Sequence, residues 1–232
     1  MAGEQRVLLI TGASSGIGAA TARHAARDGW KVVISARSED KLAELASELG
    51  DDSALAQRCD VTEFSDQERL VAAALDRFGR IDAVFANAGF GAKRGFLEED
   101  PDSWRGMVLT NVLGVAYTIR ATLPHIRERG TGHYVLTSSV AGRRALPGSL
   151  YSSTKWAVTG MGESLRQELR AEKSRVRVTV VEPGMVDTPF FDNRPSDALE
   201  PDDIARIVMF TLAQPERVDI NEILVRPTSQ AG

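Results

Sequence analysis

"VLLITGASSGIGAATARHAA", Val7 to Ala26, decides the fold. It reads as a short apolar strand, a glycine-rich turn and the start of a helix. Gly12, Gly16 and Gly18 stand where turn meets helix. Glycines at that junction allow a tight turn and let the backbone approach a pyrophosphate, which rests on the helix N-terminus. The spacing is G-x-x-x-G-x-G, not the G-x-G-x-x-G of the general dinucleotide fingerprint. Taken alone, the stretch also fits a plain turn between a strand and a helix.

Outward from this unit the same alternation repeats. The apolar runs are "RVLLIT", "KVVIS", "ALAQRCDV", "IDAVFAN", "HYVLTSS", "VRVTVVEP" and "EILV". Between them lie helical patterns such as "SEDKLAELASELG", "SDQERLVAAALDRFG", "DSWRGMVLTNVLGVAYTIRATLPHIRERG" and "YSSTKWAVTGMGESLRQELRAE". Near-continuous Val- and Ile-rich runs are how strands buried on both faces read. Strict alternation predicts an α/β chain: a doubly wound Rossmann fold with a parallel seven-stranded sheet and helices on both faces. No linker, repeat or low-complexity segment interrupts it, so residues 1–232 read as one domain.

The 232 residues carry a net charge of -4, and 26% of them are charged. This balance argues against a nucleic-acid surface, which shows a basic excess. The single Cys59 excludes an intramolecular disulfide and reads as a small buried residue. His24, His125 and His133 lack metal-ligand spacing, so no metal is expected. No apolar run reaches transmembrane length, and the N-terminal segment lacks the apolar core of a signal peptide. The chain reads as cytoplasmic, without a membrane partner.

The second strand, "KVVISAR", ends at Ala36-Arg37 with no acidic residue. A site for NAD places an acid there to hold the ribose 2′-hydroxyl, whereas an Arg accommodates a 2′-phosphate. Arg37 therefore points to NADP(H). Glu39 and Asp40 read instead as first-turn acids that complement a helix dipole. Further on, "LYSSTKWAV" places Tyr151 and Lys155 four residues apart, hence on one helix face. An ammonium beside a phenol stabilises the phenolate and lowers a pKa of about 10, which suits a proton donor or acceptor.

With these residues in view the chain resembles the short-chain dehydrogenase/reductase family over nearly all its length. The matching motifs are "TGASSGIG" (Thr11–Gly18), "CDV" (Cys59–Val61), "NAG" (Asn87–Gly89), Asn111 within "TNVLG", a serine-bearing strand end, "YSSTK" (Tyr151–Lys155) and "PGMVDTP" (Pro183–Pro189). The resemblance implies the following roles. Tyr151 is the general acid for carbonyl reduction and the base for alcohol oxidation. Lys155 lowers its pKa and holds the nicotinamide ribose. A serine bonds the substrate oxygen, and Asn111 supports a water-linked proton relay. Gly12, Ser14, Ser15, Gly16, Ile17 and Gly18 cradle the pyrophosphate. Asp60 and Val61 line the adenine pocket, Asn87, Ala88 and Gly89 flank the adenosine ribose, and Pro183, Gly184, Val186 and Thr188 seat the nicotinamide.

Two serines compete for the substrate role. A glycine three residues on, as in "SVAG", selects Ser139 with Gly142. The family's usual thirteen-residue distance to the tyrosine selects Ser138. Adjacent strand side chains point to opposite faces, so one alone faces the cofactor, and Ser139 is favoured.

The expected reaction interconverts a small aldehyde, ketone or 3-oxo acid and its alcohol. A 3-oxoacyl-carrier reductase and a non-catalytic dinucleotide sensor are the alternatives. Phe190 and Phe191 are open to reading as pocket walls or as lid packing. Lys93, Arg94, Arg143, Arg144 and Arg194 fall in loops near the expected mouth, where one could bind a substrate carboxylate. "DINEILVRPTSQ", Asp219 to Gln230, resembles an NADP-dependent 3-hydroxy acid and serine dehydrogenase subgroup. The resemblance also implies a homodimer or homotetramer. Val112, Val115, Trp156, Met161 and Leu165 suit either that interface or the core.

Overall fold

The computed structural model describes residues 5–91, 93–190 and 196–230. In chain order it contains β1 (Val7–Thr11), α1 (Gly16–Arg27), β2 (Lys31–Ala36), α2 (Glu39–Leu49), β3 (Ala54–Arg58), α3 (Phe64–Phe78), β4 (Ala83–Ala86), α4 (Pro101–Val108), α5 (Gly114–Arg129), β5 (His133–Thr137), α6 (Leu150–Ala171), β6 (Arg177–Pro183), α7 (Pro201–Leu212) and β7 (Glu222–Val225). The strands pair in parallel in the order β3-β2-β1-β4-β5-β6-β7. From β1 the chain first winds towards β3 and then returns past β1 towards β7. That reversal opens a crevice at the carboxyl ends of β1 and β4, where ligands sit in such sheets.

The strands' two-residue period divides the core into two layers. Leu8, Ile10, Val32, Ile34 and Phe85 face α1, α2 and α7, packing against Ala22, Leu42, Leu45, Ile204 and Val208. Val7, Leu9, Val33, Val84 and Leu136 face the opposite layer, packing against Leu70 of α3, Val115, Ile119 and Ile126 of α5, and Val158 and Leu165 of α6. Val115 and Leu165 are therefore core residues, and Met161 packs beside them. Trp156 stands half-exposed. The two edge strands depart from the expected two-sided burial: β3, paired only with β2, is mostly half-buried, and β7, paired only with β6, alternates exposed and half-buried.

The helical pattern between β4 and β5 is one continuous path with an irregular centre. A π-helical turn, Leu109–Leu113, joins α4 to α5 and carries Asn111. Insertions of this kind are rare and concentrate at functional sites. The whole path, Pro101–Arg129, is long and apolar enough by length and composition to cross a membrane, contrary to the sequence expectation. Its apolar side, including Met107, Val115, Ile119, Leu123 and Ile126, is buried within the fold.

Candidate active site

The floor of the crevice is tied together at three strand ends. The Thr11 hydroxyl accepts the N–H groups of Asn87 and Ala88 at 3.1 and 3.2 Å. The Asn87 amide donates to the carbonyls of Thr11 and Gly12, both at 3.3 Å, and its oxygen accepts from the Thr137 hydroxyl at 3.2 Å. Gly12 holds φ at +68°, and a Cβ there would fall 2.7 Å from the Ala88 Cα. The residue must therefore be glycine both for its left-handed backbone and for the "NAG" turn pressed against it. Helix α1 then starts at Gly16, with no side-chain hydrogen bond from its N-cap, Ser15. Its first N–H groups lack intrahelical partners and are suited to an anion.

The adenosine end is more open. Arg37 lies exposed just beyond β2. Glu39 pairs with Arg58 at 3.5 Å, while Glu39 and Asp40 occupy the first turn of α2. The Asp60 carboxylate accepts from the backbone and hydroxyl of Thr62 at 3.0 and 2.8 Å. Val61 turns its side chain into the core, where a Cβ on Gly114 would fall 2.8 Å from it. What Val61 can offer the crevice is backbone.

At the other end, Ser149 caps α6 by accepting the Ser152 N–H at 3.3 Å. Tyr151 and Lys155 follow within the first turns. The Lys155 Nζ lies 5.6 Å from the centroid of the Tyr151 ring and donates to the Thr137 carbonyl at 2.8 Å. The lysine is only 4% exposed, and burial pushes its amine down to about 8. Burial pushes the Tyr151 phenol up to about 12, with a hydrogen bond from Ser139 acting the other way. This corrects the expectation of a lowered phenol pKa. Four-residue spacing puts the ammonium on the same face, 5.6 Å from the ring centroid, but the shift follows the withdrawal of the phenolate from water, which the Ser139 hydrogen bond opposes only in part.

The two serines part company as alternation requires. The Ser138 hydroxyl donates to the Lys155 carbonyl at 2.9 Å and lies 2.9 Å from the Thr159 hydroxyl, so it faces the α6 backbone. Ser139 faces Tyr151, with the Pro183 carbonyl as a second acceptor at 3.3 Å. Gly142 belongs to this packing: a Cβ on it would lie 2.3 Å from the Ser138 Oγ. Asn111 is fully buried and braces the site. Its oxygen accepts the Phe90 N–H at 3.0 Å, and its amide donates to the Phe90 carbonyl at 2.8 Å and the Thr154 hydroxyl at 3.1 Å.

The roof is the segment after β6. Asp187 donates its N–H to the Leu199 carbonyl at 2.8 Å, and Leu199 donates to Met185 at 2.9 Å. Phe190 meets the Tyr151 ring edge-on, with centroids 5.4 Å apart. Among the loop cations, Arg143 is not free for a substrate. It grips both oxygens of the buried Glu182 at 2.8 Å and also pairs with Glu222. Lys93, Arg94 and Arg144 are exposed. Phe191 and Arg194 lie outside the described residues. Cys59 is buried, and burial pushes its thiol up to about 12, which makes it a poor nucleophile. The three histidines pair with Asp202, the Ile81 N–H and the Thr179 hydroxyl. No group of three or more candidate metal ligands occurs among the described residues.

Several residues here escaped the sequence reading as participants. Thr154 and Thr11 lay inside quoted motifs, so the signal was present but gave them no role. Glu182, directly before "PG", had no local signal that it neutralises Arg143. The glycine pressed against "NAG", the uncapped α1 and the exposed Arg37 together fit a dinucleotide laid across the strand ends.

The profile of the family described as short chain dehydrogenase matches residues 6–199. An uncharacterised oxidoreductase of Staphylococcus saprophyticus is 37% identical, covering 98% of each chain. Among solved structures, an alcohol dehydrogenase from the archaeon Thermococcus sibiricus, complexed with 5-hydroxy-NADP, is 34% identical. It superposes with a TM-score of 0.91 over 99% of both chains. A 3-ketoacyl-(acyl-carrier-protein) reductase from Brucella melitensis, complexed with NADH, is 31% identical with a TM-score of 0.89, covering 97% of this chain and 98% of the other. Serine dehydrogenase from Escherichia coli is also 31% identical, with a TM-score of 0.88, covering 97% of this chain and all of the other.

Proposed function

The chain belongs to the short-chain dehydrogenase/reductase family and is an oxidoreductase with a nicotinamide cofactor; from that premise we propose that it is an NADP(H)-dependent enzyme interconverting a small aldehyde, ketone or 3-oxo acid and the corresponding alcohol. The observation that carries this reading is the half-buried Tyr151 phenol, bonded by Ser139 and one helical turn from the buried Lys155. When bound, the nicotinamide supplies or accepts the hydride.

This chain's own residues handle binding and the proton. The first-turn N–H groups of α1, with Ser14 and Ser15, hold the pyrophosphate, and Arg37 takes the 2′-phosphate. Asn87, Ala88 and Gly89 flank the adenosine ribose, Lys155 holds the nicotinamide ribose, and residues 183–188 seat the nicotinamide. The Tyr151 Oη keeps its proton at neutral pH because burial holds its pKa near 12. It therefore meets a carbonyl oxygen as a donor, and that oxygen receives a second hydrogen bond from Ser139. Phe190, edge-on to Tyr151, closes one side of the space left for the substrate. The cofactors of the neighbours differ, one carrying an NADP derivative and another NADH. The choice of NADP(H) therefore rests on Arg37 and the lack of an acid at the end of β2.

The test follows the loss of reduced-nicotinamide absorbance with NADPH and NADH in parallel. The substrate panel comprises small aldehydes, ketones, free 3-oxo acids and a carrier-bound 3-oxoacyl group. Turnover of free small carbonyls with NADPH is expected. Preference for NADH overturns the reading of Arg37. Activity confined to the carrier-bound substrate shifts the assignment to a carrier reductase. Binding of NADPH without turnover on any substrate leaves a sensor.

A further inference from the structure

The C-terminal "VRPTSQ" has no part in the chemistry described above, yet it reaches the site. We propose that Gln230 is a positioning residue for the nicotinamide seat, fixing the Gly184–Met185 turn through its side-chain oxygen. After β7 the chain turns back on itself, with the Gln230 N–H donating to the Pro227 carbonyl at 3.0 Å. This brings the Gln230 Oε1 to 3.0 Å from the Met185 N–H. The same side chain also packs over the neighbouring glycine. A Cβ on Gly184 would fall 2.1 Å from Oε1 and 3.1 Å from the Pro227 Cδ. The glycine of "PG" thus lies directly beneath the Gln230 amide and the Pro227 ring.

The turn is held from three sides. Gly184 donates its N–H to Val225 at 2.7 Å, Met185 accepts the Leu199 N–H at 2.9 Å, and Gln230 takes the one Met185 donor that remains. The same segment presents the Pro183 carbonyl to Ser139 at 3.3 Å. A shift of the turn therefore reaches both the nicotinamide seat and the serine that faces Tyr151. Gln230 touches neither substrate nor cofactor in this scheme and acts through Met185. The inference rests on the proposal that residues 183–188 seat the nicotinamide.

The test uses the full chain with Gln230→Met, which keeps the length of the side chain but removes the acceptor, and Gln230→Glu, which keeps an acceptor oxygen. Calorimetric Kd and steady-state KM are measured for NADPH and NADH, with Tm alongside. Gln230→Met is expected to weaken both dinucleotides by the same factor, roughly three- to tenfold, the range corresponding to one neutral hydrogen bond. Gln230→Glu is expected to restore most of the loss. Equal weakening is the signature of the nicotinamide end, since a defect at Arg37 would affect NADPH alone. The inference is overturned if the wild-type chain binds dinucleotide and Gln230→Met leaves both constants unchanged. It is equally overturned if the Glu variant is as weak as the Met variant, or if Tm alone falls. A wild-type chain that binds neither dinucleotide overturns the functional reading itself and the inference with it.

Discussion

Replacing each of the adjacent serines by alanine should produce opposite defects. Ser138 is 2% exposed, and its hydroxyl lies 2.9 Å from both the Lys155 carbonyl and the Thr159 hydroxyl. Each neutral bond contributes about 1 kcal/mol net. Thr159 keeps contacts of 3.2 Å with the Lys155 carbonyl and with Glu182, so alanine at 138 leaves no orphaned partner. Ser138→Ala should therefore cost about 1–2 kcal/mol, a fall in Tm of roughly 3–8 °C for a chain of this size. Turnover should stay near normal. Ser139→Ala loses a long bond to Pro183 and the cap on the Ala141 N–H at 3.1 Å, a modest structural loss of about 1 kcal/mol. In the proposed reaction it also loses a donor to the substrate oxygen. Removing one such donor lowers kcat by about 10²–10³. Thermal melts and steady-state reduction of the best panel substrate, run on both variants, decide the matter. An active Ser139→Ala beside an inactive but folded Ser138→Ala would refute the assignment of faces.

Three further outcomes are expected. Tyr151→Phe should abolish measurable reduction while calorimetry still shows NADPH binding; near-normal turnover would exclude the phenol as proton donor. In kcat/KM for reduction, Lys155 should produce a plateau below pH 8 and a decline above it, as the amine loses its proton near 8. Between pH 8 and 10 Lys155 itself does not drive unfolding: the unfolded chain, with a lysine pKa of 10.5, binds the extra proton there, so this group makes the fold more stable as pH rises. A Tm falling in step with the rate would contradict this. His133 should make the fold acid-sensitive. Its Nε2 lies 2.8 Å from the Thr179 hydroxyl, its Nδ1 is buried with no partner among the described residues, and burial pushes its pKa from 6.5 to about 3. Below pH 6.5 the unfolded chain takes up a proton that the folded chain refuses. Stability is therefore lost as pH falls from 6.5 towards 3, by about 2 kcal/mol at pH 5. His133→Leu should flatten the acid side of a Tm–pH curve, and an unchanged slope would count against the assignment.

The order of strands and helices was legible because five of the seven strands lie inside the sheet, and their apolar runs report burial on both faces directly. The edge strands β3 and β7 were legible as strands but not as edges, since edge position is set by which neighbour is absent. Spacing placed Tyr151 and Lys155 on one face. It could not give the sign of the phenol shift, which depends on how little water reaches the pair. Nor could local sequence show that Arg143 is committed, because its partners Glu182 and Glu222 lie on β6 and β7. The π-turn at Asn111 was hidden for a different reason: its sequence, "LTNVL", carries no Gly or Pro, and the irregularity comes with the two-point grip of Asn111 on Phe90.

Burial links these features. Asn111 is held to Phe90 and Thr154, the Thr137 carbonyl engages the Lys155 amine, and both side chains border Gly89. With water kept from both groups, the amine falls to about 8 and the phenol rises to about 12. The order matters more than either value. In the proposed reaction, a proton given up by Tyr151 to a developing alkoxide is replaced downhill from any donor near 8, the Lys155 ammonium being of that strength. The reverse task, drawing a proton from an alcohol onto Tyr151, first requires a phenolate that burial disfavours by several pH units at neutrality. The arrangement that makes Tyr151 a ready acid therefore makes it a reluctant base. Neither shift moves the equilibrium itself: reduction consumes a proton, so neutral pH favours it and alkaline pH favours oxidation whatever the residues, and the pair sets only how fast each direction of the proposed reaction runs at a given pH.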